Sequence, residues 1–246
     1  MKIGIAIVNY GDEQLLKNCL ESLNQNNVVP NPFFISTFDC NKQNIGFTAG
    51  NNKIIQKFLQ GIDVPWNNSP PEWIWLLNND VTLPKETLES IEKILPTIES
   101  NIGIIGFKIL SMDNPDLIHH GGTLQCYPAG VHKSGSVKLK QLNKRTSEKW
   151  VTFASVLIRR EVFEQIGLLD EKMVNYYSDS DFCLRARYAG WKIIYEPSFV
   201  INHKIGQSQS PSLEQQRVIQ TDSIAFTNKW LNGKVYFDLD KELIRD

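Results

Sequence analysis

The chain alternates between short, nearly continuous apolar runs and stretches whose apolar residues recur at helical spacing. "KIGIAIVNY" is such a run, rich in β-branched residues, and suits a strand covered on both faces, as in a parallel sheet. After Gly11, the positions Leu15, Leu16, Cys19, Leu20 and Leu23 share one helical face, with Asp12 placed to cap the first turn. "FFISTF" reads as a strand, "NNKIIQKFLQ" as a helix, "EWIWLL" as a strand, and "PKETLESIEKIL" as a helix with Pro84 at or beside its first turn. "NIGIIGFKIL" continues the sheet. Residues 111 to 150 then lose periodicity, gather Gly, Pro, Ser and Lys, and predict loops or a small hairpin excursion. "VTFASVLIRR" returns as a strand and "REVFEQIG" as a short helix stopped by Gly167. "SDSDFCLRARYAG" predicts a helix with Ser178 as N-cap and Gly190 past its end. "WKIIYEPSFVINH" is extended chain interrupted by Pro197, and Ser212 to Trp230 forms one more helix.

Strands alternating with helices predict an α/β fold, with a mainly parallel central sheet flanked by helices. In such sheets ligands sit outside the carboxyl ends of the strands. With no internal repeat and no linker, residues 1–246 are expected to form a single domain.

Composition narrows the partners. The chain has 26 basic and 27 acidic residues, a net charge of −1, and so no global field to attract nucleic acid or an anionic membrane surface. No run reaches the roughly 18 to 20 apolar residues of a spanning helix, and "MKIGIAIVNYGDE" is too short and too soon polar for a signal peptide, so a cytoplasmic protein is expected. Cys19, Cys40, Cys126 and Cys183 form no CxxC pair, which predicts buried reduced thiols rather than a disulfide framework or zinc cluster.

"WIWLLNNDVTLP" places Asn78, Asn79 and Asp80 where a buried strand emerges at the ligand edge. Asp80 suits either a turn or one ligand of a hard divalent cation that keeps positions open for phosphate oxygens. His203, after the apolar run of "VINHKIGQS", is either a satisfied histidine or a second ligand from the same edge. The adjacent His119 and His120 point to opposite faces of an extended chain, which argues against a joint ligand role. In "YYSDSDFCLR", Asp179 and Asp181 suit the first turn of a helix, where the dipole favours negative charge. Beside Tyr176 and Tyr177, one of them equally suits a general base next to aromatic surfaces that stack on a sugar ring. "NIGFTAGNN" carries Gly46 and Gly50 just before a helix, as a tight turn or as a loop that lets a diphosphate approach amides at a helix N-terminus.

Together these residues resemble the family 2 glycosyltransferases, especially the rhamnosyltransferase-like branch of bacterial polysaccharide assembly. "IAIVNYGDEQLLKNCLESL" is similar to the family's opening strand and helix, "NIGFTAGNN" to its NxGFxxGxN segment and "WLLNNDV" to its variant of the DxD metal motif. "IGLLDEKMVNYYSDSDFCLRARYAGWKIIYEPSFVINHKIGQS" is similar to its acceptor-side block, and the match covers most of residues 3 to 208 in order. The resemblance implies a GT-A fold, a nucleotide-diphosphate sugar donor, Mg²⁺ or Mn²⁺, and inversion at the anomeric carbon. It implies that Asp80 binds the metal, His203 completes its shell and Asp179 is the general base, with Asp181, Arg185 and Tyr177 supporting the site on the acceptor side. Donor contacts would come from Asn9, Tyr10, Asn44, Gly46, Gly50, Asn51 and Asn79. On this basis residues 1–110 form the donor and metal half, 111–210 the acceptor side and 211–246 a C-terminal helix and tail. A saccharide or lipid-linked saccharide acceptor would place the protein at the inner face of a membrane, as a peripheral partner.

Two departures stand out. Between Leu23 and Asn44 there is too little chain for the two strands and parallel crossover the family has there, so one strand and its helix are expected to be missing, with Asp39 standing in for the donor-base contact. Ser178 occupies the place where Glu usually precedes the base. Two other readings compete: a catalytically degenerate binding module, and a sugar nucleotidyltransferase. The latter should carry a Gly-rich phosphate loop with a basic residue after the first strand, which "VNYGDEQLL" lacks.

Overall fold

The computed structural model describes residues 1–25, 32–126, 130–204 and 212–230. Each apolar run becomes a strand: β1 (Ile3–Asn9), β2 (Phe33–Asp39), β3 (Trp73–Asn78), the two-residue β4 (Val81–Thr82) and β5 (Ile102–Ser111). Between them stand α1 (Glu13–Gln25), α2 (Gly46–Leu59) and α3 (Thr87–Ile94). Asp12 caps α1 as expected, its Oδ1 accepting the amide of Gln14 at 2.8 Å. Residues 111 to 150 hold more order than loops: β6 (Leu117–His120), β7 (Thr123–Gln125), β8 (Val131–His132), β9 (Gly135–Ser136) and β10 (Thr146–Glu148) form short antiparallel pairings. Then come β11 (Ser155–Arg159), α4 (Arg160–Ile166), α5 (Ser178–Tyr188), β12 (Lys192–His203) and α6 (Leu213–Trp230).

The main sheet runs β10-β12-β5-β11-β3-β1-β2. β2, β1 and β3 are parallel, β12 is parallel to β5, and β11 lies antiparallel between β3 and β5. The continuous apolar runs follow from burial on both faces. Ile3, Ile5, Ile7, Trp73, Trp75 and Leu77 pack toward Cys19, Leu23, Leu88 and Ile91 of α1 and α3. Ala6, Ile74, Leu76 and Ile104 pack toward Ile54, Phe58, Phe163 and Phe182 of α2, α4 and α5. All four cysteines are buried.

Several expectations shift in detail. Pro197 does not interrupt β12. It lies in a register irregularity between Glu196 and Val200, where a residue without an N–H forfeits no ladder bond. The helix bearing Asp179 is not capped by Ser178, which is its first residue; Tyr177 precedes it in the left-handed conformation, with φ 62° and no side-chain cap. α2 begins at Gly46 rather than Asn51, because the first turn is held by long-range hydrogen bonds that local propensity does not report. Among the described residues β2 is the one strand between α1 and α2, and it forms the sheet edge, in keeping with the short spacing there. No described helix is long and apolar enough to cross a membrane.

Candidate active site

The carboxyl ends of β1 and β3 open onto a cavity of about 1150 Å³. The sequence places polar side chains at the end of β3 because the chain leaves the core there. Asn79 Nδ2 donates to Asn9 Oδ1 at 2.9 Å and to the Tyr10 carbonyl at 3.1 Å, which ties the two strand ends together. β4 then pairs antiparallel with the end of β12, setting His203 against Val81, and the Lys204 amide donates to the Asp80 carbonyl at 3.0 Å. That pairing brings His203 Nε2 to 3.0 Å from Asp80 Oδ1 at the cavity wall, across 123 residues of sequence.

A carboxylate oxygen and an imidazole nitrogen facing one cavity fit a divalent cation with two protein ligands. Among the described residues no group of three His, Cys, Asp or Glu side chains gathers to hold an ion, so its other positions would fall to ligand oxygens and water. The described residues lining the cavity include no Lys or Arg.

Asp179, in the first turn of α5, lines the same cavity. Burial pushes its carboxyl up to about 6, against the opposing pull of the Ser180 amide, which donates to Oδ1 at 2.7 Å, and of the neighbouring Trp150 indole. The Trp150 N–H tempers this shift from nearby without forming a well-aligned hydrogen bond of its own. A carboxylate titrating near neutrality is suited to taking a proton from a hydroxyl. Asp181, two residues on, is fully buried and does not line the cavity. It accepts from Arg185 Nε at 2.8 Å, Lys229 Nζ at 2.7 Å and Trp230 Nε1 at 2.8 Å. Arg185 continues the brace to the carbonyls of Ile166 and Leu168, both at 2.9 Å. These two residues therefore support the helix rather than face a ligand.

The loop entering α2 works differently from an open amide cradle. The amides of Gly46, Phe47 and Thr48 already donate, to Asn44 Oδ1 at 3.2 Å, Asn175 Oδ1 at 2.8 Å and the Val174 carbonyl at 3.0 Å. Gly46, at φ +81°, is needed for close approach, since a Cβ there would lie 2.3 Å from Val174 Cγ1. Gly50 is needed because its Cβ would lie 2.9 Å from Val8 Cγ1. Gly46→Ala should therefore cost about 2 kcal/mol or more of stability, from strain plus overpacking, and a urea titration would read it. Asn44, Gly46 and Tyr10 line the cavity, with Asn79, Tyr177 and Ser178. Gly50 and Asn51 are buried inside α2 away from it, the Asn51 amide donating to the Phe47 carbonyl at 2.9 Å. Asn9 and Asp39, paired across β1 and β2, border a second, smaller groove with Lys17 and Lys42.

Against known families, residues 2–221 match the profile described as Glycosyltransferase like family 2. The chain belongs to that family. Among its relatives is the N-acetylglucosaminyl-diphospho-decaprenol L-rhamnosyltransferase of Mycobacterium tuberculosis, 28% identical over 65% of this chain and 56% of that protein. Another is the low-salt glycan biosynthesis hexosyltransferase Agl10 of Haloferax volcanii, 26% identical over 75% of this chain and 61% of that protein. The chain thus spans a little over half the length of these curated relatives. Solved structures give the GT-A fold. GalNAc-T7 with UDP, GalNAc and Mn²⁺ superposes with a TM-score of 0.61 at 11% identity, over 94% of this chain and 49% of that one. S. aureus TarS 1-349 in complex with UDP-GlcNAc superposes at 0.60 with 11% identity, over 99% and 70%.

The cavity is also built from His132 and Trp150, which the sequence did not single out, and from His119, which it raised only as half of a ligand pair with His120. His119 and His132 line it with rings 4.6 Å apart, and Trp150 stands edge-on to His132 at 5.2 Å. Burial, reinforced by His119 and His203, lowers His132 to about 4, so this wall is uncharged at neutral pH. His120 is fully buried behind it, its Nδ1 3.0 Å from His132 Nδ1. Glu214, Gln215, Val218 and Ile219 of α6 supply a further wall. The signal available in the sequence was a single tryptophan, Trp150, at the border between a polar excursion and a buried strand.

Proposed function

We propose that the protein is an inverting, metal-dependent glycosyltransferase that moves a sugar from a nucleotide-diphosphate donor to a hydroxyl of a saccharide or lipid-linked saccharide acceptor. The observation that carries this reading is that one cavity holds both the Asp80–His203 pair and Asp179. Asp179 takes the proton from the acceptor hydroxyl. The freed oxygen pair forms the new bond to the anomeric carbon as the bond to the diphosphate oxygen breaks, and one displacement gives one inversion. Asp80 and His203 would hold Mg²⁺ or Mn²⁺, which supplies positive charge to the departing diphosphate. Tyr176 and Tyr177 offer the acceptor an aromatic surface, while Asn44, Asn79 and Tyr10 border the donor. The relatives named for a lipid-linked sugar acceptor and for glycan biosynthesis support a place in polysaccharide assembly, with the protein cytoplasmic and peripheral at the inner membrane face.

Calorimetric titration with nucleoside diphosphates tests the donor half of this reading. Binding should require Mn²⁺ or Mg²⁺ and vanish in a chelator; equal affinity in both conditions would exclude the metal role. A second reading, a binding module without turnover, draws on the edge position of β2 and on Ser178 beside Asp179. Metal-dependent hydrolysis of a sugar nucleotide by the protein would eliminate it.

A further inference from the structure

Asp222 lies in the middle of α6, is fully buried, and has no part in the roles above. Its Oδ1 accepts the amide of Val174 at 2.9 Å, and its Oδ2 accepts the amides of Asn175 and Tyr176, both at 2.8 Å. Three successive N–H groups converge on one carboxylate, the arrangement of a backbone nest around an anion. Here the anion belongs to the protein itself.

The segment so held joins the two sides of the cavity. Toward the donor side, the Val174 carbonyl accepts the Thr48 amide and Asn175 Oδ1 accepts the Phe47 amide, while the Val174 side chain fills the space that Gly46 leaves open. On the other side the segment runs into Tyr177, in its left-handed conformation, and then directly into α5 and Asp179. Val174, Asn175, Tyr176 and Tyr177 all line the cavity, as do the first turns of α6. Further along α6, Lys229 bridges Asp170 and Asp181, both at 2.7 Å, and Trp230 donates to Asp181. One helix thus grips the loop that leads into α5 from its own centre and the start of α5 from its own end.

We propose that Asp222 is a positioning residue of the transfer reaction: by gathering the amides of Val174, Asn175 and Tyr176 it sets the turn at Tyr177 and so aims Asp179 and the acceptor wall relative to α2. This inference rests on the base role given to Asp179 above. Loss of the carboxylate leaves buried amides unpaired, and the loop must shift to satisfy them. A displacement of about 1 Å in a catalytic group can lower the rate by about a hundredfold.

Asp222→Asn tests it, because the amide keeps the volume but offers one oxygen where the carboxylate offers two, and cannot accept all three N–H groups as before. Three measurements are compared with the parent at a temperature where both are folded: kcat for transfer, calorimetric affinity for nucleoside diphosphate with Mn²⁺, and amide exchange across 173–177. Expected are a kcat about tenfold to a hundredfold lower, unchanged nucleotide affinity, and faster exchange confined to that segment. A kcat equal to the parent's overturns the proposal, whatever happens to the melting temperature. Should Asp222→Asn fail to fold, Asp222→Glu retains both oxygens one methylene further out and is judged by the same outcomes. If the parent protein neither transfers nor hydrolyses any sugar nucleotide, the transferase reading is what fails. The tether is then judged by exchange alone: unchanged protection of Val174, Asn175 and Tyr176 in the variant overturns it, and selective loss of that protection supports it.

Discussion

Asp179→Asn should give a protein that binds nucleoside diphosphate and Mn²⁺ as the parent does, yet transfers sugar about 10² to 10⁴ times more slowly. Asparagine keeps the shape and the hydrogen bond from the Ser180 amide, so the helix start survives while the proton acceptor does not. Activity of the parent should fall as the pH drops through about 6, where burial has set the Asp179 carboxyl, and this acid limb should be absent from the residual activity of the variant. The same shift predicts a gain in stability. An aspartate raised from 3.8 to about 6 is held less comfortably ionised in the folded chain than in the unfolded one. The penalty is absent below pH 3.8, grows between those values and is complete above about 6. At pH 8 Asp179→Asn should therefore be more stable than the parent, on the order of 2 kcal/mol after allowance for the open side of the cavity, with the difference vanishing near pH 3.5. Melting curves at the two pH values check the sign. An active Asp179→Asn, or a variant less stable at pH 8, would remove Asp179 from its role as a buried base.

Asp80→Ala should have the second largest effect, through the donor rather than the base. The carboxylate is one of the two protein groups proposed to hold an ion, so its loss should weaken Mn²⁺-dependent nucleotide binding by about tenfold or more, exceeding or matching what removal of an outer partner of a metal ligand does. The fold should survive, because Asp80 holds β12 through its backbone carbonyl, which accepts from Lys204, and that bond does not depend on the side chain. Isothermal titration with and without Mn²⁺ measures the change. Unaltered Mn²⁺-dependent affinity in a folded Asp80→Ala protein would show that the ion sits elsewhere.

The sheet was legible in the sequence because each strand is buried on both faces, so Ile3 to Ile7 and Trp73 to Leu77 read as unbroken apolar runs. The start of α2 was not, because Phe47 and Thr48 are held by partners at 173–175, more than a hundred residues away. The same contrast governs the site. Asp80 declares itself as a charged residue ending an apolar strand, but its contact with His203 depends on the two-residue β4 pairing with the end of β12, which periodicity cannot report. Residues 111 to 150 read only as loops or a small hairpin excursion because their strands are two to four residues long, too short for an alternating pattern to register. His119, His132 and Trp150 enter the cavity wall only once those hairpins fold back. Of the two uses the sequence left open for Gly46 and Gly50, a tight turn or a diphosphate loop, the glycines themselves answer to close packing against Val174 and Val8.

The position of α6 has a bearing on how the molecule comes into being. Among the described residues the last strand of the main sheet ends at His203, so the sheet and the helices that precede its end in sequence can pack before residues 213 to 230 have left the ribosome. A nascent chain at that stage holds the framework and both ends of β12, but Val174, Asn175 and Tyr176 still lack the carboxylate that gathers their amides. Synthesis would therefore deliver the sheet and its packed helices first, and the segment at 174–176 would take its held form only once α6 has docked.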